Sequence, residues 1–391
     1  MYKLYGDGIH DDTNAIQEMI DSGACEVRLP VPERLYLISK PLELPSDFRL
    51  VLPRFAEIKL ADGSDCVMLK NKTVANPAKR VSSPVWEYIN EYDPDYECRN
   101  IEVCGGIWNC NNLNQTPNPI FVRENLVNGY NGMGFLFYNV KNLTVRSLTV
   151  KDPVTFGVTF DKVSYFTVEY IIFDYNYGNP KAFNMDGIHI NGNSHFGRIT
   201  NLKGATYDDL VALNADEGSN GPITHIDIRG LYAEGCHSAV RLLTRQNVVE
   251  HIHISDVYGT FYQYCIGLTK YYQGEIKGYF DSITIDNVYA SKAERLPVCE
   301  VYPGKGYIFP LIFIEGEHKI KNLKISDFHR REYINSVETI FIGKDTVIDN
   351  FIMENVTTEN NTSEPDMPLI INNGTIKNMN ASNVLKDGET V

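Results

Sequence analysis

Three aspartates carry the strongest chemical signal in this 391-residue chain. Asp186 stands two residues before the triplet Ile188-His189-Ile190, and Asp209 stands two residues before Val211-Ala212-Leu213. If the triplets are successive strands of a parallel sheet, the two carboxylates stack one strand spacing apart, about 4.8 Å. Asp208 then lies beside them. Like charges that close raise at least one carboxyl pKa, and an acid that keeps its proton near neutrality can protonate a leaving group. Paired carboxylates with unequal pKa values are the working parts of glycoside hydrolysis. A single Asp at a strand corner more often hydrogen-bonds the turn; three converging on one face point to a site. The same strands turn His189, Asn191, Asn214 and Arg241 towards solvent, as candidate substrate-binding residues. Arg241 shares its column with the short Ala212 and Gly267, a setting suited to an anionic or hydroxyl-rich ligand.

The elements that must position these residues form two interleaved repeats. One reads apolar-x-apolar-x-x-apolar, as in Leu143/Val145/Leu148, Phe166/Val168/Ile171, Ile226/Ile228/Leu231 and Ile252/Ile254/Val257, and runs on to Phe351/Met353/Val356. Several copies carry a polar pair before the last apolar residue, such as Ser255-Asp256 and Asp286-Asn287. The other is the apolar-x-apolar triplet, from Phe135-Leu136-Phe137 to Ile340-Phe341-Ile342, with outer residues inward and the middle one outward by the period-two rule. A spacing of about 23 to 40 residues is that of one supersecondary unit per repeat. The expected fold is all-β, a right-handed parallel β-helix of nine or ten coils, forming a single domain over 1–391. Residues 1–30 form an N-terminal cap region and about 99–385 the regular coils. In the cap, Asp12 or Thr13 caps a short helix whose stripe is Ala15, Ile16, Met19 and Ile20. Longer insertions at roughly 71–98, 109–132, 173–184 and 292–310 are where a solenoid builds its binding site.

Composition narrows the partners. The formal net charge of −14 argues against nucleic acid, and no apolar run is long enough for a membrane span. An acidic glycan remains compatible, because a local cation in a groove can bind it. The chain opens with no charged segment leading into an apolar one, so the expectation is a cytoplasmic protein, or a secreted one if a leader was removed. The cytoplasmic case would suit processing of imported oligosaccharides from their ends. The eight Cys show no metal-like spacing and read as small buried hydrophobes.

With these residues in place, the sequence resembles a known family. The opening Gly6-Asp7-Gly8-Ile9-His10-Asp11-Asp12-Thr13 resembles that of pectin-lyase-like β-helix proteins. The stretch from Asn184-Met185-Asp186-Gly187 to Asp208-Asp209 resembles the catalytic core of glycoside hydrolase family 28, the polygalacturonases. The resemblance implies Asp208 as general acid and Asp186 with Asp209 as holders of the attacking water. It implies an inverting hydrolysis without metal or cofactor, on a pectic or related poly- or oligosaccharide. The family's Gly-His-Gly and Arg-Ile-Lys are not kept. Gly235-Cys236-His237-Ser238 stands for the first, with Ser238 in the family's His column, and Gly267-Leu268-Thr269 for the second. His237 is therefore either a catalytic or substrate-binding residue or a structural corner. Arg241, with Arg245 and Lys270 nearby, is the candidate replacement for the family's cations.

Tyr262, Tyr264, Tyr271 and Tyr272 either stack on sugars or shield the sheet, and Asp216 and Glu217 open a Gly-rich loop expected to be solvated. Two other classes compete: a β-helix polysaccharide lyase, and a non-catalytic tailspike or adhesin that only binds glycan. The carboxylate cluster favours hydrolysis over the lyase. The oligomeric state is open.

Overall fold

The computed structural model describes residues 3–72, 79–82, 85–87, 97–118, 131–270, 274–294 and 308–391. The chain winds as a right-handed parallel β-helix. The triplets build an eleven-stranded parallel sheet that begins at Leu42–Leu44 and ends at Ile370–Asn372. Their register is that of the sequence pattern, Val158, Ile188, Val211, Val240, Ile266, Ile312 and Ile340 forming one inward column. Eleven strands exceed the nine or ten coils expected. Leu69–Asn71 and Ile370–Asn372 escape the pattern because each ends on Asn where it calls for an apolar residue.

The other repeat forms a second, larger sheet of parallel strands facing the first across the core. Its column Leu143, Phe166, Gly197, Ile226, Ile252, Ile283, Leu323 and Phe351 contains one coil that the repeat does not reveal. A Cβ on Gly197 would stand 2.0 Å from Cζ of Phe166, so the phenyl ring of the previous coil fills the space of two residues. The polar pairs mark the bend of this sheet. Asp256, Asn287, Asp327, Asn355 and Asn383 all adopt φ between 48° and 57°, a region that Asn and Asp enter most readily. Their side chains then ladder from coil to coil: Asn287 Nδ2 donates to Asp256 Oδ1 at 2.6 Å, and Asn383 Nδ2 to Asn355 Oδ1 at 2.7 Å.

One buried apolar cluster runs from Ile16 to Val384. The N-terminal helix, Thr13–Ile20, contributes Ile16 and Ile20 to it, and Met19 packs at its edge. The capping differs from expectation. Asp12 occupies the N-cap position without a side-chain cap bond, because its carboxylate instead accepts the N–H groups of Tyr5 (2.6 Å) and Gly6 (3.1 Å). Among the described residues seven cysteines are free thiols, five of them buried. Of the four insertions, 173–184 is fully described, whereas much of 71–98, 109–132 and 292–310 lies outside the described residues.

The Gly197–Phe166 contact is testable. Gly197→Ala should destabilise the protein by about 1–3 kcal/mol through overpacking, and adding Phe166→Leu should restore part of the loss, giving a non-additive pair in denaturant titrations. Additive losses would mean that the ring does not fill both positions.

Candidate active site

The eleven-stranded sheet brings the three aspartates together. Gly187 N–H donates to the Asp209 carbonyl at 2.9 Å, and Asp209 is in register with Ser238, so Asp186, Asp209 and Ser238 rise in one column. Asp186, Asp208 and Asp209 are all buried, at 3%, 4% and 1% exposure, far below what an unpaired surface carboxylate would show. Buried charges must be paired or protonated, and each partner here can be named. Asp186 Oδ2 faces His189 Nδ1 at 2.7 Å. Asp209 Oδ1 accepts the Ser238 hydroxyl and stands 3.4 Å from the Tyr264 hydroxyl, and its Oδ2 is 3.8 Å from Arg241 Nη1. Asp208 Oδ2 is 3.4 Å from Asn184 Nδ2, and its Oδ1 is 3.6 Å from His237 Nδ1. Asp186 Oδ1 and Asp209 Oδ2 make no hydrogen bond with the protein. Buried oxygens of that kind need a partner, a water or a ligand hydroxyl.

His189 is placed differently from a residue waiting for substrate. Its Nδ1 serves Asp186, its Nε2 lies 3.0 Å from Glu217 Oε2 and 3.1 Å from Asn191 Oδ1, and Phe156 stacks flat on its ring at 3.8 Å. Asn214 Nδ2 also donates to Glu217 Oε2, at 3.1 Å. Glu217 is thus part of the site, not a solvated loop residue. Asp216 is buried as well, accepting the N–H groups of Arg245 (2.5 Å) and Gln246 (3.2 Å). Both corrections share one cause. The segment 215–221 folds back over the sheet, with Ser219 N–H donating to Asp161 Oδ1 at 3.0 Å, and no local pattern announces such a fold-back. The nearest signal was three glycines or alanines in seven residues, compatible with close packing.

The charges sort the protons. Burial, then the neighbouring Asp186 and Asp209, hold the Asp208 carboxyl well above its ordinary pKa. Burial also raises Asp209, to about 6, with Arg241 opposing the rise. Burial raises Asp186 too, but its hydrogen bond to His189 works the other way. For His189 burial acts downward, and the bonds to Asp186 and Glu217 overcome it, raising the ring to about 10. These directions favour a protonated Asp208 and an imidazolium at His189, with Arg241 beside Asp209.

Other candidates are sorted by the same geometry. Lys270 directs its ammonium to Glu317 and its N–H to Glu315 (2.7 Å), and no bond joins it to the three aspartates. Tyr262 and Tyr264 are buried, edge-on to His237; Tyr264 also lies over Gly267, whose Cβ would come within 2.6 Å of the ring. They shield the sheet. Tyr271 and Tyr272 lie outside the described residues. Asp208, Asp209 and His237 offer three ligand atoms within 4.8 Å of one another. The Ser238 hydroxyl lies between two of these residues, donating to Asp209 Oδ1 and standing 3.0 Å from His237 Nδ1.

No family model matches the sequence, and no curated protein does. Solved structures do. The chain is similar to the family 28 exopolygalacturonase of Yersinia enterocolitica, with a TM-score of 0.59 and 16% identity over 100% of this chain and 78% of that one. It is similar to the endo-xylogalacturonan hydrolase of Aspergillus tubingensis, at a TM-score of 0.59 and 14% identity over 95% and 98%. The tailspike protein of E. coli bacteriophage HK620 follows the same path, at a TM-score of 0.55 and 12% identity over 95% of this chain and 64% of that one. Its structural neighbours are thus family 28 polygalacturonases and other pectin-lyase-like β-helices. At these identities the likeness establishes the fold.

Two measurements check the proton arrangement. Asp208 has a folded pKa above its ordinary 3.8, so its contribution to stability is full below that value and is lost as pH rises through the folded pKa. Asp208→Asn should therefore match the wild-type Tm near about pH 4 and exceed it near about pH 8; an equal difference at both would refute the assignment. His189, also raised, should remain doubly protonated well past neutrality by nitrogen NMR. Glu217→Gln should bring its titration down towards the ordinary 6.5.

Proposed function

We propose that this chain is a glycoside hydrolase that cleaves a pectic or related, uronate-containing poly- or oligosaccharide with inversion of configuration. The observation that carries the reading is the buried cluster of three carboxyls, in which Asp186 lies 2.7 Å from His189 and Asp209 3.8 Å from Arg241, while burial and its acidic neighbours push Asp208 towards its protonated form. Asp208 donates its proton to the glycosidic oxygen as the bond to the anomeric carbon breaks. A water held by Asp186 Oδ1 and Asp209 Oδ2, the two oxygens without a protein hydrogen bond, attacks the opposite face of the sugar. Its proton passes to one of these carboxylates, and their charge stabilises the oxocarbenium-like transition state. Keeping Asp186 ionised in a buried site is the task of the His189 imidazolium, which Glu217 in turn holds.

Arg241 is the cation assigned to the substrate carboxylate. Its Nε donates to Thr269 Oγ1 at 3.0 Å, and its side chain keeps 18% exposure. The likeness to polygalacturonase and xylogalacturonan hydrolase structures supports a uronate-containing glycan. Asn214 Oδ1, buried and without a protein hydrogen bond, is the proposed contact for a sugar hydroxyl, whereas Asn191 lies beneath Gly218.

The test is reducing-sugar release from polygalacturonate, xylogalacturonan and neutral glycans. Asp208→Asn should fold and lose about 10²- to 10⁴-fold in rate, and proton NMR should show the inverted anomer as first product. Activity should persist in a chelator; its loss would turn Asp208, Asp209 and His237 into a metal site. An unsaturated uronide as product would make the protein a lyase, and tight glycan binding with no turnover would make it a binding protein.

A further inference from the structure

The eleven-stranded sheet has one column of side chains that points away from the core, and its burial changes abruptly along the axis. On the N-terminal side of the aspartates it comprises Lys70, Leu136, Thr159 and His189, stacked in register. These should be open to solvent on a bare solenoid face, yet their exposures are 5%, 1%, 0% and 2%. Past the buried Ala212, the same column continues through Arg241, Phe313, Phe341 and Ile371, all only half-buried, with Gly267 between the first two covered by the Tyr264 ring.

Two structures cover the N-terminal half. The first is an apolar plug: Val67, Met133, Tyr138 and Phe156 pack with Leu136 on the outside of the sheet, separate from the core. Phe156 stands two residues before Val158 as Asp186 stands two before Ile188, and the backbone ladder is continuous, Gly134 N–H to Phe156 O and Gly157 N–H to Asp186 O at 2.9 Å each. The column of the carboxylates therefore ends in a phenyl ring one coil, about 4.8 Å, below Asp186. The second cover is the fold-back of 215–221. Its Gly218 lies so close over Asp161 and Asn191 that a Cβ would fall 2.2 Å from Asp161 Oδ2, and its Glu217 reaches His189.

We propose that the carboxylate cluster sits at the blind end of a groove that opens only towards the C-terminal coils, so that the protein takes the end of a glycan chain and releases one unit size at a time. The proposal rests on the hydrolase reading and adds its mode of action. A glycan running along the sheet past Asp186 in both directions would have to displace the Phe156 ring from His189 and break open the apolar plug. A chain terminus needs neither. Phe156 and the 215–221 segment are then specificity-determining, because they set how much sugar fits beyond the bond that breaks.

Two measurements decide it. Single cysteines are introduced at Thr159 and Phe341, at opposite ends of the column, and alkylation of the folded protein by iodoacetamide is followed by peptide mapping. Thr159→Cys should resist modification and Phe341→Cys should react; equal rates would remove the blind end whatever the activity. Products of polygalacturonate and xylogalacturonan are then sized from the first minutes. One product size with little loss of polymer viscosity supports action from the end, and Phe156→Ala should broaden the sizes released. A ladder of sizes with a rapid viscosity fall overturns the mode of action while leaving the hydrolase reading intact. No product from any glycan overturns both.

Discussion

In a parallel β-helix each strand can add only one strand spacing above the last, with its residues directly over their counterparts. Every side chain therefore acquires a neighbour in the same position one coil up and one coil down. This stacking governs the molecule. Where the column is apolar and inward, it yields the core that runs from Ile16 to Val384. Where it falls on a bend, it aligns Asn and Asp residues whose amides bond from coil to coil. Where it is charged, it sets Asp186 under Asp209 and compels an electrostatic solution.

That solution is local and asymmetric. Asp161, Asp186, Asp208, Asp209 and Glu217 crowd a region whose cations are His189 and Arg241, and the acids outnumber them. The excess is resolved by protonation, with burial lifting Asp208 well above the ordinary carboxyl range and Asp161 to about 7. The cations are spent on specific partners, His189 between Asp186 and Glu217, Arg241 beside Asp209. Removing either would leave a buried carboxylate uncompensated, which costs more than the pair contributes.

The same stacking explains how the sheet's outer face is used. Short residues at Ala212 and Gly267 leave room beside Arg241, and the Tyr264 ring fills the space over Gly267. Phe156 and Met133 continue the carboxylate column as apolar residues and so end the polar surface. A one-residue difference in a column is enough to turn a groove into a wall.

The sequence by itself determined the path of the chain and the columns. Period-two alternation leaves each strand only one register that buries its apolar face, so Asp209 over Asp186 and Ser238 over Asp209 follow from spacing alone. It failed where one coil borrowed from another: Gly197 shows no apolar residue because the Phe166 ring serves both positions. Tertiary structure decided what lies over the columns. Glu217 was legible only as a loop residue, and His189 only as an outward histidine, because their bond depends on how a segment without periodicity folds back. Which aspartate keeps its proton was decided there too, since a pKa follows from burial and charge within a few ångströms, and those distances exist only in the folded chain.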